Sequence, residues 1–150
     1  MMKHFALAAV LTAGSSAAWA ADNCKLEVGA NDQMQYDKKE ATVSAGCKEI
    51  TITLKGTGKL DKTAMGHNLI VALEKDKNTI VAEGAGAGPA AGFVKAGSPL
   101  IVAATKLIGG GETDTIKFPG SKLKAGEAYS FFCTFPGHFA LMNGKLTVTK

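Results

Sequence analysis

Residues 133–142, CTFPGHFALM, place a cysteine, a histidine and a methionine on one Pro-Gly bend. Each of these side chains can bind a metal, and the Cys-x4-His-x3-Met spacing lets all three project onto a common point. A fourth donor has to come from a distant part of the chain. His67, in MGHN at 65–68, is the only histidine besides His138 and the N-terminal His4. One thiolate, two imidazoles and a thioether are the donor set that suits copper in an electron-transfer site. The thiolate is soft and covalent toward copper, the imidazoles accept both oxidation states, and the thioether is a weak axial donor that raises the potential. A trigonal set of this kind suits neither oxidation state exclusively, so little has to move when one electron passes.

Other chemistries would use part of this set. Zinc accepts Cys and His, although methionine serves it poorly. A Cys-His nucleophile would take Cys133 as its thiolate, but no Gln, Asn or acid of recognisable context and no oxyanion loop accompany it. A copper carrier, delivering metal rather than electrons, would hold it at an exposed Met- or Cys-rich site. Here Cys133 stands in the apolar run YSFFCTF.

The elements that must position these residues read mainly as short strands. EITITL (49–54), HNLIVAL (67–73), TDTIKF (113–118), AYSFFC (128–133) and KLTVTK (145–150) carry a period of two. Leu26 and Val28 mark a first strand, and Ala41 and Val43 a later one. Turn signals separate them, at GGGE (109–112), PGSKLKAGE (119–127) and NGK (143–145). Many short strands with frequent turns predict an antiparallel sandwich or Greek-key barrel. Residues 74–98, rich in Ala and Gly, break the pattern and predict a flap with one or two short helical turns. Each glycine at 84, 86, 88 and 92 costs a helix about 1 kcal/mol.

The N-terminus, MMKHFALAAVLTAGSSAAWA, has the basic start, apolar run and Ala-Trp-Ala ending of an export signal, with a mature start at Ala21. Its apolar run falls short of the ~20 residues that span a bilayer, and AADNC lacks the leucine of a lipoprotein signal. Residues 21–150 then form one domain, long enough to bury roughly two-thirds of the unfolded surface. They hold 16 lysines, no arginine and 13 acidic residues, so the charge falls from +4 to +3. That balance is too mild to suggest nucleic-acid binding and favours acidic partners only weakly. Three cysteines in an oxidising compartment leave one unpaired. Cys24 and Cys47 sit in polar surroundings near strand ends, and bridging them closes a loop of about 24 residues, worth ~3 kcal/mol. Pairing of Cys133 with either of them is the alternative.

The motifs NDQMQY (31–36), MGHN (65–68), TKLIG (105–109) and SKLKAGEAYSFFCTFPGHFALM (121–142), with a C-terminal LTV strand, resemble those of azurins within the cupredoxins. The resemblance spans nearly all of 21–150 and is weakest over 74–98. It implies an all-β fold, an eight-stranded Greek-key β-sandwich with a partly helical flap insertion. It also implies one type 1 copper, with His67, Cys133 and His138 equatorial, Met142 axial and the Gly66 carbonyl opposite. Asn68 and the backbone of Thr134 and Phe135 would hold the thiolate by hydrogen bonds, a task that tunes the potential. Cys24 and Cys47 match the azurin disulfide. Met34, Leu60, Ala64, Met65, Phe135, Gly137 and Leu141 match the apolar patch through which azurins meet redox partners.

The implied activity is single-electron transport in the periplasm by Cu(I)/Cu(II) cycling, without enzymatic turnover. The implied protein is a monomer that docks transiently with a c-type cytochrome and a terminal reductase or peroxidase. Three departures from the azurin pattern stand out. Leu69 replaces a commonly buried tryptophan, so the mature chain should lack tryptophan fluorescence. Gly56 takes the place of a histidine linked in some azurins to pH-dependent behaviour, which predicts little coupling of potential to pH over about 5–8. Phe139 is expected to enlarge the apolar rim.

Overall fold

Alternating apolar residues build two facing sheets. The computed structural model describes residues 23–150, and the expected export signal at 1–20 lies outside them. The first sheet has the order β2-β1-β4-β7, from β1 (Lys25–Asn31), β2 (Gln35–Tyr36), β4 (Ile50–Gly56) and β7 (Thr113–Phe118). The second has the order β3-β9-β8-β5-β6, from β3 (Glu40–Ser44), β5 (Ile70–Leu73), β6 (Ile101–Ala104), β8 (Tyr129–Phe132) and β9 (Asn143–Thr149). Ile50, Ile52 and Leu54 of β4 point inward with Val28 of β1, and meet Leu69, Val71, Phe131 and Leu146 from the opposite sheet. Apolar side chains thus leave water from both inner faces, the arrangement expected of a sandwich.

The expected all-β sandwich is present, with nine strands where eight were predicted. The strands without a readable period are β2, two residues long, and β6, whose four residues are all half-buried. The antiparallel expectation needs correcting. β1 runs parallel to β4, with Lys25 opposite Thr51, and β3 runs parallel to β9, with Glu40 opposite Lys145. A period of two reports which face is buried and carries no information on strand direction, which the connections decide.

The flap also departs from expectation. A 3-10 turn at Glu74–Asp76 leads into an eleven-residue helix, α2 (Lys77–Ala87), and a second 3-10 turn follows at Pro89–Ala91. Packing explains why the glycines do not prevent it. Ile80 is buried against Ile70, Ala72 and Phe132, which line the outer face of β5 and β8. Gly84 sits so close to the Phe93 carbonyl that an added Cβ would lie 2.3 Å from its oxygen. A second small core therefore covers the outer face of β5 and β8, and those two strands are buried on both sides.

Cys24 and Cys47 form the disulfide, with 5.6 Å between Cα atoms. Cys133 is the free, buried thiol. Leu69 is wholly enclosed in the main core. Among the described residues no helix is long and apolar enough to cross a membrane.

Candidate metal centre

Two chain segments deliver the donors. On one side, Asp61 caps the short helix α1 (Lys62–Met65), accepting the Thr63 N–H at 2.8 Å, and the helix stops at Gly66. The chain then extends through His67, which lies before β5 rather than within a 67–73 strand. His67 is pinned by a two-bond bridge to Ile108: its N–H donates at 2.9 Å and its carbonyl accepts at 2.8 Å. This fixes the backbone from which the imidazole projects.

On the other side, the segment following β8 folds back upon itself. The His138 N–H donates to the Phe135 carbonyl at 3.0 Å, with Gly137 at φ +83, a left-handed value that glycine accepts without strain. The Met142 N–H donates to the His138 carbonyl at 2.8 Å, and the Met142 carbonyl accepts from Cys133 N–H at 3.0 Å. These bonds close the ten-residue loop into a ring that carries Cys133, His138 and Met142 on its frame. From outside, the Lys39 ammonium donates to the Leu141 carbonyl at 2.8 Å.

The loop and His67 bring three donor atoms together. One ring nitrogen each of His67 and His138 and the Cys133 sulfur all lie within 4.8 Å of one another. Cys133 Sγ stands 3.9 Å from His138 Nδ1, and the two imidazole rings are 5.1 Å apart between centroids. His67, Cys133, His138 and Met142 are all buried, at 2%, 0%, 3% and 0% exposure. Neither ring nitrogen of His67 has a hydrogen-bond partner. A buried polar atom without a partner costs about 1–3 kcal/mol, and a metal ion between the donors would satisfy it. One soft sulfur and two imidazoles fit copper, so the residues present fit the ion that the sequence implies.

Burial governs the protonation of these groups. It pushes the Cys133 thiol up to about 11, although the backbone N–H groups of Asn68 and Phe135 point at the sulfur and pull the other way. Burial lowers His138 to about 4, and the neighbouring His67 adds repulsion. His67 is lowered too, chiefly by burial, with the charge of Asp32 opposing it. Both imidazoles are thus neutral at neutral pH and ready to donate lone pairs. The thiol keeps its proton until an ion displaces it.

A hydrogen-bonded frame surrounds the sulfur. The Asn68 side chain donates to Thr134 Oγ1 at 2.8 Å and to the Gly92 carbonyl at 3.0 Å, and accepts the Thr134 N–H at 2.9 Å. Thr134 Oγ1 donates in turn to the Phe93 carbonyl at 2.7 Å. The Tyr36 hydroxyl donates to the Asn68 carbonyl, and its ring rests against Phe131, centroids 5.7 Å apart. The frame therefore joins β2, the segment before β5, the segment after β8 and the turn that closes the flap. Asn68, Thr134 and Phe135 were expected here. Tyr36, Gly92, Phe93 and Lys39 were not. Gly92 and Phe93 act through carbonyls, which leave no mark of residue type, whereas the tyrosine in NDQMQY was a readable signal.

The remaining site residues separate by exposure. Among the described residues, Leu60 and Leu141 are the exposed large hydrophobic side chains, at 45% and 50%. Ala64 and Gly137 are also exposed, and Met34, Met65 and Phe135 are half-buried. Met34 and Phe135 pack against the main core. Gly66 is buried. Phe139 needs a correction. Instead of widening an apolar rim, it turns into the second core, edge-on to Phe132 at 6.2 Å, with the Lys77 ammonium 5.6 Å above its ring. Once α2 forms, burial beneath it outweighs exposure for an aromatic ring.

Comparison with known proteins agrees with this geometry. Residues 22–149 match the family described as copper binding proteins, plastocyanin/azurin family. An azurin of Achromobacter denitrificans is 46% identical over 150 residues, covering the whole of both chains. Azurin-2 of Alcaligenes xylosoxydans xylosoxydans is 50% identical over 123 residues, 82% of this chain and 95% of that protein. Among solved structures, an azurin from the obligate methylotroph Methylomonas sp. strain J superposes with a TM-score of 0.81 at 39% identity, covering 85% of this chain and 98% of that one.

Proposed function

The chain belongs to the plastocyanin/azurin family of copper-binding proteins, and we propose that it is a periplasmic carrier of single electrons with no substrate of its own. The observation that carries this reading is the convergence of His67, Cys133 and His138 on one buried point, where both ring nitrogens of His67 lack any other partner. Copper, when bound there, supplies the one-electron Cu(I)/Cu(II) couple.

The chain's own residues supply the rest. His67, Cys133 and His138 would be the principal donors to the ion, with the Met142 thioether as a weak donor and the Gly66 carbonyl as a further contact. The backbone N–H groups of Asn68 and Phe135 would hold Cys133 Sγ as a thiolate against the ion, its proton passing to solvent. The Asn68–Thr134–Phe93 frame holds these donors in place between oxidation states, which keeps the reorganisation on electron transfer small. Burial keeps water from the sulfur and opposes free exchange of the ion, which favours an electron carrier over a copper-delivering protein.

The electron enters and leaves on the His138 side, through the patch of Met34, Leu60, Ala64, Met65, Phe135, Gly137 and Leu141. The Phe135 ring lies 4.5 Å from that imidazole. A c-type cytochrome as donor and a terminal reductase or peroxidase as acceptor fit such a patch, with the protein docking as a monomer. Residues 1–20 act as the export signal, and 21–150 form the working domain.

Titration of purified residues 21–150 with Cu(II), followed by visible absorption and EPR, tests the assignment. An intense blue band with narrow copper hyperfine splitting is expected from Cys133 thiolate ligation. A pale solution with ordinary copper EPR would sink it and reopen the carrier and zinc readings.

A further inference from the structure

Next to the metal centre lies a concavity of about 520 Å³, within the range of small-molecule sites. Its wall is apolar and aromatic, with Phe93, Leu107, Phe135 and Ala91 among the lining residues. Phe93 and Phe135 meet edge to face, with centroids 5.2 Å apart. Phe93 reaches that position through a left-handed backbone, φ 58, which a bulky side chain adopts only against steric resistance. Its carbonyl is held by the Thr134 hydroxyl, so the conformation is locked from behind and the ring is presented to the cavity.

The charged part of the lining is of one sign. Lys62 and Lys106 border the cavity, and neither Asp nor Glu is among its lining residues. Lys62 makes a long ion pair, 3.5 Å, with Glu112, and the Lys106 ammonium enters no ion pair among the described residues. A wall that takes a flat ring, flanked by two ammonium groups, is complementary to a ligand that is apolar on its faces and anionic at one edge. A neutral aromatic would leave the lysines unused. A small inorganic anion would leave the wall unused.

We infer that this cavity binds a small aromatic carboxylate, its ring against Phe93, Phe135 and Leu107 and its carboxylate directed to Lys62 and Lys106. The site adjoins the docking patch and shares Phe135 with it. The Phe135 N–H points at the Cys133 sulfur and the Phe135 ring touches that of His138, so the metal centre would sense occupancy.

The probe is 2-naphthoate, titrated into the reduced protein and followed by amide NMR. The metal-free protein is titrated in parallel, so that binding is read whether or not copper loads. Saturable shifts are expected at Gly92, Phe93, Leu107 and Phe135, with neutral 2-naphthamide binding about tenfold more weakly. Lys62→Gln and Lys106→Gln should each weaken naphthoate about two- to fivefold, as solvent-facing charges do, and added salt should weaken it further. Equal affinity for the amide, shifts confined to Leu60 and Leu141, or lysine variants without effect would each overturn the assignment. So would an oligoglutamate peptide that moves the same amides more strongly than naphthoate does, which would transfer the site to an acidic protein partner.

Discussion

At the scale of single residues, the protonation of the two imidazoles has a measurable consequence for the metal-free protein. Folding lowers His138 to about 4 and lowers His67, from an ordinary value of 6.5. Between about 6.5 and 4 the unfolded chain therefore binds more protons than the folded one, so stability rises with pH across that window. Urea unfolding of the metal-free protein should show a midpoint that falls on acidification between about pH 6.5 and 4. In the copper-loaded protein the ligated nitrogens cannot take protons, so the folded chain binds fewer still and the slope should persist to lower pH. A flat profile in the metal-free protein would contradict the burial argument. Met142→Leu keeps the volume of the side chain and removes the thioether, so copper should stay bound while the potential shifts, as potentiometry would read. Loss of copper from that variant would remove Met142 from the axial role. Cys133, His138 and His67 were legible in the sequence because histidine and cysteine are scarce in this chain and their types announce chemistry. The clasp formed by the Gly92 and Phe93 carbonyls was not legible, because every residue carries a carbonyl and only folding selects which ones face Asn68.

At the scale of elements, α2 puts two glycines of one helix in opposite circumstances. An added Cβ at Gly84 would press on the Phe93 carbonyl, whereas one at Gly86 meets nothing within 4 Å. Gly84→Ala should therefore cost ~1–3 kcal/mol through overpacking, even though alanine is the better helix former. Gly86→Ala should raise stability by ~0.4–1 kcal/mol through the unfolded chain. Chemical denaturation of the two variants checks the pair, and a shared sign would mean that propensity rather than packing decides. The same contact explains why the helix was foreseen only as short turns. Four glycines argue against a helix locally, and the requirement that one of them be small is set by Phe93, nine residues further on. β4 and β7 of the first sheet were plain because their burial alternates along the strand. β6, four half-buried residues at a sheet edge, carries no alternation to read.

At the scale of the whole molecule, the disulfide joins the start of β1 to the segment before β4, two strands already paired side by side from Lys25 and Thr51 onward. Replacing Cys24 and Cys47 by alanine should cost ~3 kcal/mol, chiefly by releasing the unfolded chain. The copper absorption of the folded variant should be unchanged, because no donor lies on that bridge. A lost or altered band would show that the bridge shapes the site. Sandwich architecture was legible from the turn spacing, while the parallel pairings were not, since they depend on which distant segments meet. One of those pairings bears on how the protein is made. β9 lies between β3 and β8 in the second sheet, with Val43 opposite Val148. It is translated after every other described strand, so a nascent chain cannot assemble that sheet while synthesis is under way. The second sheet can therefore close only once residues 143–149 have been made, whereas the first sheet, complete at Phe118, does not wait for them.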